Sequence, residues 1–225
     1  MNTFSRRHFI KTVVAGLTGI CAYYCVSNHK VYAQSSSIPT NNKHILVIYY
    51  SLPESDSNLN EHRENSTVTI DNQLLGNTQY MAMIIQAALK NTDIFRIETV
   101  TPYDTTDHAK LIEQAKNELN NNYRPALKQI NNLDQYDTIL FGYPIWWADL
   151  PTPVYSFLSQ NDFAGKKVIP FGTHGGSGFA NTRTTIAKLQ PNADFRGQNG
   201  LTIYRDRIDN AKNEIVDWVN QLSLV

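Results

Sequence analysis

The chain has 225 residues, 41% of them hydrophobic, which is enough for one substantial core and too few for two comfortable domains. Its 20 basic and 20 acidic residues cancel, a balance that argues against nucleic acid or an anionic membrane surface as partner. Both cysteines, Cys21 and Cys25, fall near the start, so disulfides, thiol catalysis and cysteine metal sites are excluded from everything that follows.

The start reads as an export signal. Ser5 to Lys11, "SRRHFIK", precedes a fourteen-residue apolar run from Val13 to Val26, and "VYAQ" then offers a small-residue cleavage site after Ala33. The run is shorter than the roughly 18 residues a membrane span needs, so cleavage is expected and the mature chain has no span. Ser-Arg-Arg-x-Phe-Ile-Lys resembles the twin-arginine export motif, whose pathway carries folded proteins, often with a cofactor already loaded. An ordinary secretory signal with two adjacent arginines is the alternative. Either places the product in the periplasm or otherwise outside the cytoplasm. Removing Arg6, Arg7, Lys11 and Lys30 leaves 16 basic against 20 acidic residues, a net charge of −4.

Residues 34–43 form a polar tether without periodicity, and a single domain over 44–225 follows. "HILVIYY" (His44 to Tyr50) is an almost continuous apolar run of strand length, as expected of a strand covered on both faces. Residues 52–75 are mostly polar; within them "STVTIDNQLL" places an Asp-Asn turn between two extended pieces and predicts a small hairpin. After "GNTQ" (Gly76 to Gln79), Met81, Ile84, Ile85 and Ala88 recur at helical spacing. Asp93 to Thr99 predicts a second strand. A helix is predicted over 106–120, with Ala109, Ile112, Ala115 and Leu119 as its apolar face and Asp104 and Asp107 near its cap. Tyr136 to Pro144 is a third strand, Pro153 to Gln160 a helix opened by proline, and Lys166 to Gly178 a fourth strand running into a glycine-rich loop. "NTRTTIAKLQ", a strand near Gly200 to Tyr204 and a final helix carrying Ile208, Ala211, Ile215, Trp218 and Val219 complete the chain. The alternation predicts a doubly wound α/β domain with a parallel sheet.

Ligands of such sheets bind beyond the carboxyl ends of the strands, near the point where strand order reverses. Three strand ends carry unusual loops: Tyr50-Ser51 with the delayed "GNTQ", "GYPIWWADLPTP", and "GTHGGSG". This pattern resembles the flavodoxin family, whose phosphate loop runs from a strand through Ser or Thr to Gly-Asn-Thr at a helix start, and in particular members with a long insertion inside that loop. The resemblance spans about His44 to Leu222 and implies a five-stranded parallel sheet of order 2-1-3-4-5 with FMN as cofactor.

Carried over residue by residue, it implies that Ser51, Gly76, Asn77, Thr78 and Gln79 hold the phosphate through hydroxyl, amide and backbone donors at a helix N-terminus. No lysine follows Gly76-Asn77-Thr78, so a nucleoside triphosphate fits poorly. Pro144, Ile145, Trp146 and Trp147 would flank the flavin ring, with one indole stacked and the other packed as structure. Thr173, His174, Gly175, Gly176 and Ser177 would offer backbone donors to the ring's N1, C2 carbonyl and N5 region. His174 would donate to the reduced ring or relay a proton, or else cap its own turn. His44, His62 and His108 lack metal-ligand spacing and read as exposed polar residues; no metal is expected.

The function so implied is an FMN-binding electron-transfer flavoprotein, exported folded. Two rivals stand beside it. One is an NAD(P)H-dependent FMN oxidoreductase acting on quinones or nitroaromatics, consistent with a surface less acidic than a carrier steered to basic partners would carry. The other is a non-redox binding module that keeps the fold and uses the insertion as its surface. The partner is correspondingly a redox protein or a small-molecule electron acceptor.

Overall fold

In the computed structural model the described residues are 45–54, 65–90, 92–130, 133–195 and 200–224. The chain divides into two units, Met1–Ala33 and Gln34–Val225, and all described residues belong to the second. The export signal and the tether lie outside the described residues.

Seven strands and five α-helices follow in order: β1 (Ile45–Tyr50), β2 (Thr67–Ile70), β3 (Gln73–Gly76), α1 (Asn77–Leu89), β4 (Asp93–Ile97), α2 (His108–Asn120), β5 (Thr138–Pro144), α3 (Thr152–Gln160), β6 (Lys167–His174), α4 (Thr182–Leu189), β7 (Leu201–Tyr204) and α5 (Lys212–Gln221). Five strands form one parallel sheet in the order β4-β1-β5-β6-β7. Setting aside the hairpin β2-β3, this is the expected 2-1-3-4-5. The chain steps outward from β1 to β4, then returns across β1 to β5, so β1 and β5 flank the switch point.

Every residue of β1 is buried because helices cover both sheet faces. Ile45, Val47 and Tyr49 pack toward α1 and α5, whereas Leu46, Ile48 and Tyr50 pack with residues of α2, α3 and α4, the strict alternation of a pleated strand. The predicted hairpin is present: β2 pairs antiparallel with β3, and Asp71 and Asn72 both take positive φ (50° and 63°), as a two-residue type I′ turn requires. Val68 and Leu75 tuck its inner face into the α1–α5 core.

Two helical expectations need correction. On α2 the buried residues are Leu111 and Ala115, while Ala109 and Ile112 are exposed. One helical turn beyond Ala115, on the same stripe, Glu118 meets the hydroxyls of Tyr103 and Thr152. An apolar-only count cannot select a face that contains a carboxylate, so of the four residues it names Ala115 is buried and Leu119 half-buried while the other two are exposed. The last helix is also broken: Arg205–Asn210 is a 3₁₀ segment, with Ala211 N–H donating to Ile208 O (3.2 Å), before α5 begins. The five apolar residues named from the sequence are nonetheless all buried.

Candidate functional site

The end of the site expected to hold a phosphate is assembled from two pieces far apart in the chain. β1 delivers Ser51 and Leu52, and β3 returns the chain to Gly76 at the head of α1. A Cβ on Gly76 would stand 2.1 Å from Ser51 Oγ and 2.2 Å from Leu52 O. Gly76 has an ordinary extended backbone (φ −69°, ψ 145°), so glycine is needed here for close approach. The interrupted loop is thus closed in space, with strand end and helix start in contact across residues 52–75.

Two of the helix's free N–H groups are already used. Gly76 N–H donates to Gln79 Oε1 (3.1 Å), and Asn77 N–H donates to Ser66 O (2.7 Å). Gln79, expected among the phosphate donors, therefore serves through Oε1 as the helix cap. Thr78 and Thr173 are both buried, with their hydroxyl oxygens 2.8 Å apart. Thr173, assigned from the sequence to the ring end, instead joins β6 to the phosphate end.

Asn77 carries the fit to a ligand. Its side chain is buried, and Oδ1 has no hydrogen-bond partner among the described residues. Leaving such an atom unpaired costs about 1–3 kcal/mol. An amide presents an acceptor and a donor side by side, and here it lies at the positive end of α1 beside two hydroxyl residues. A phosphate monoester offers acceptor oxygens to the amide N–H, the hydroxyls and the helix N–H groups, and its singly ionised form alone carries the O–H that Oδ1 would accept.

The ring end is built on β5 and β6, which pair as far as Pro144 opposite Thr173; Ile145 N–H then donates to Thr173 O (2.9 Å). Trp146 and Asp149 exchange two backbone hydrogen bonds of 2.9 Å, closing a turn in which Trp147 (φ 51°) and Ala148 (φ 60°) sit in the left-handed region. A bulky side chain there is strained, by an amount of order 1–3 kcal/mol. The indoles divide their roles. Trp146 lies edge-on to Tyr50 and Tyr103 with centroids 5.8 Å away, packed as structure. Trp147 is 49% exposed, with Lys116 Nζ 5.2 Å from its ring centroid. Asn181 N–H donates to Ala148 O (3.1 Å) and ties this loop to the start of α4.

On β6 the half-buried His174 accepts the Gly176 N–H at Nδ1 (2.9 Å), which leaves the ring proton on Nε2. Burial lowers its pKa, so the imidazole is neutral at pH 7. It caps its own loop and lies 5.9 Å from the Tyr204 ring. Gly175, Gly176 and Ser177 are exposed, and Gly176 uses a φ of 126°. The Arg205 guanidinium lies 3.8 Å from where a Cβ on Gly175 would be.

Sequence reasoning missed the polar network beneath these loops. Glu54, 5% exposed, accepts hydrogen bonds from Thr99, and Tyr103 O–H donates to Glu118, which also accepts from Thr152. Asn65, at the returning end of the insertion, donates to Thr105 O (2.7 Å), and its Oδ1 is 2.7 Å from His108 Nδ1. His108 is thus half-buried and bonded, not an exposed polar residue; His44 and His62 lie outside the described residues. Nothing in the polar stretch "PESDSNLNEHREN" sets Glu54 or Asn65 apart from the other polar residues around them. Asp107 does cap α2, accepting from Lys110 N–H (3.1 Å). Among the described residues no group of three His, Cys, Asp or Glu side chains could hold a metal ion, and no helix is long and apolar enough to cross a membrane.

A family model described as "Flavodoxin" matches residues 73–222. Among solved structures, a protein from Bacteroides eggerthii DSM 20697 assigned as a flavoprotein is similar at 27% identity, over 81% of this chain and 99% of that one, with a TM-score of 0.58. One from Bacteroides uniformis ATCC 8492, likewise assigned, has 23% identity over 80% and 99%, with a TM-score of 0.60. A Lactobacillus acidophilus NCFM flavoprotein in complex with FMN has 20% identity over 75% and 98%, with a TM-score of 0.50. No curated protein matches the chain.

Proposed function

The chain belongs to the flavodoxin family, whose cofactor is FMN, and we propose that it is an exported electron-transfer flavoprotein. The observation that carries this reading is the unpartnered Oδ1 of Asn77, buried at a helix N-terminus that Ser51 and Gly76 close from the far side of an insertion. A binding module that had abandoned FMN would have no reason to keep that uncompensated polar atom.

FMN supplies one- and two-electron chemistry; the protein supplies position and electrostatics. Ser51, Asn77 and Thr78 hold the phosphate. Thr173 fixes Thr78 and, through its backbone, Ile145, so the two ends of the site keep one spacing. Trp147 offers its indole to the ring. The backbone of Gly175 to Ser177 would supply donors to the ring edge, and His174 holds that loop in shape rather than moving a proton. Arg205, close to Gly175, favours negative charge developing at that edge. Export by the twin-arginine route fits a cofactor acquired in the cytoplasm, since the domain must be folded to retain it.

A reductase using NAD(P)H is the second reading. It is favoured by the small net charge of −4 after Ala33 and by basic side chains at the loops, Lys116 over Trp147 and Arg205 by Gly175. The visible absorption spectrum of residues 34–225 after cytoplasmic expression, followed by FMN titration of the apoprotein, tests the cofactor. A colourless protein without FMN affinity would overturn both readings. Turnover of NAD(P)H by the holoprotein alone would replace carrier with reductase. A signal whose two arginines can be changed to lysine without loss of export would remove the twin-arginine route.

A further inference from the structure

We infer that Glu54 is a positioning residue of the FMN phosphate site: it fastens the outgoing end of the insertion to the turn after β4 and so keeps Ser51 and Leu52 seated against Gly76. This rests on the reading that the site holds FMN.

Glu54 follows Ser51 by three residues, at the point where the chain must leave the phosphate loop for the insertion. A segment leaving there has every reason to fray, yet residues 51–54 are all buried. Their anchorage is polar. Glu54 Oε2 accepts the Thr99 N–H in a short bond; Oε1 lies 3.5 Å from both the Tyr103 N–H and the Tyr50 hydroxyl. The Glu54 backbone is held as well, its carbonyl accepting from Arg96 Nη1 (3.0 Å), while Arg96 Nε donates to Tyr49 O–H (3.0 Å). Both the side chain and the backbone of this one residue are therefore fixed to β4 and the turn beyond it.

The Thr99 hydroxyl has one proton and three oxygens around it, so it donates either to Thr101 O or to the Glu54 carboxyl. Thr99 Oγ1 is 2.8 Å from Thr101 O and 2.9 and 2.8 Å from the two Glu54 oxygens. A carbonyl can only accept, and threonine has one hydroxyl proton. If that proton goes to Thr101 O, the Glu54–Thr99 contact lacks a hydrogen unless Glu54 supplies it. Burial raises the Glu54 pKa against the lowering by its hydrogen bonds, and the nearby Glu98 raises it further. The groups facing it from the packed elements are Tyr50, Tyr103, Glu98 and, beyond Tyr103, Glu118, with Arg96 engaged on its backbone.

Through the chain, the lock acts on the phosphate. Gly76 touches Ser51 Oγ and Leu52 O, so a shift of residues 51–52 opens the cradle, whereas the ring loops are built on β5 and β6. The phosphate end alone should respond.

The test compares FMN and riboflavin titrations of wild-type apoprotein with those of Glu54→Gln, Glu54→Ala and Thr99→Val, alongside urea unfolding of each apoprotein. A carboxamide still accepts from Thr99 N–H and donates to Thr99 Oγ1, so Glu54→Gln should bind both ligands as wild type does. Glu54→Ala should lose about tenfold or more in FMN affinity, the loss expected when a buried donor is left unpaired, with riboflavin binding unchanged. If Glu54→Ala does not fold, Thr99→Val decides by the same selective loss. Equal losses for both ligands, no loss in either variant, or Glu54→Gln as weak as Glu54→Ala would overturn the inference. Wild-type protein that binds no FMN would overturn the cofactor reading itself, a failure visible before any variant is measured.

Discussion

The two ends of the site are built on opposite principles. At the proposed phosphate end Ser51, Gly76, Asn77, Thr78 and Thr173 are all buried, with Gly76 N–H bonded to Gln79, the Thr78 hydroxyl to that of Thr173 on β6, and Glu54 to the turn after β4. At the ring end Trp147, Ala148, Gly175, Gly176 and Ser177 are exposed, and left-handed φ values recur at Trp147, Ala148 and Gly176. A phosphate needs every donor in place, and each misplaced donor in a dry site is costly. On the proposed reading, a ring that exchanges electrons must keep an edge open, and loops built for that trade burial for exposure and accept strain. The difference predicts that substitutions at the first end cost affinity and stability together, while those at the second cost affinity alone.

Gly76→Ala is the most severe way to break this contrast. Its methyl group would meet Ser51 Oγ and the Leu52 backbone at little over 2 Å, so one side must move. The expected outcome is loss of measurable FMN binding with destabilisation of about 2–3 kcal/mol in urea unfolding. Thr78→Val comes next. It leaves the buried Thr173 hydroxyl without Thr78 Oγ1, and about 1–3 kcal/mol of stability should go. FMN affinity should fall more than riboflavin affinity, and equal falls would show that Thr78 does not serve the phosphate.

Trp147→Ala probes the other end. Removing a strained, half-exposed indole should weaken FMN and riboflavin alike by about 0.5–1.5 kcal/mol, the scale of an aromatic contact, and leave urea unfolding of the apoprotein unchanged. A stability loss as large as that at the phosphate end would erase the contrast. Trp146→Ala should instead destabilise the apoprotein, because its ring meets Tyr50 and Tyr103.

The smallest effect concerns pH. Burial raises the Glu54 pKa above its unfolded value, so the folded chain holds a proton that the unfolded chain releases. That contribution to stability is fully present below the unfolded pKa and is lost as pH rises through the folded one. Glu54→Gln should flatten this fall in urea midpoints measured from mildly acidic to neutral pH, and an unchanged slope would place the ionisation elsewhere.

Much of this was legible in order along the chain. The strand before Ser51, the Asp71-Asn72 hairpin, the helix opened by Gly76-Asn77-Thr78 and the loops after β5 and β6 all announce themselves through local chemistry: apolar runs, turn residues and caps. Even the rejoining of Ser51 and Gly76 could be foreseen, because a parallel strand and its following helix must meet at the strand's carboxyl end. The sequence by itself therefore determined the fold class, the strand order implied by the family, and which loops stand at the carboxyl ends of the strands around the switch point. The partnerships within them were decided by the tertiary structure. Thr173 belongs with Thr78, Gln79 caps the helix, Trp146 packs while Trp147 is presented, and Glu118 completes the buried stripe of α2. Glu54, indistinguishable in sequence from the other polar residues of its stretch, is drawn under the turn after β4. Periodicity reports which residues shun water, one segment at a time. A buried polar group is stable only through a partner, and here those partners stand on other segments, so only the assembled fold reveals them.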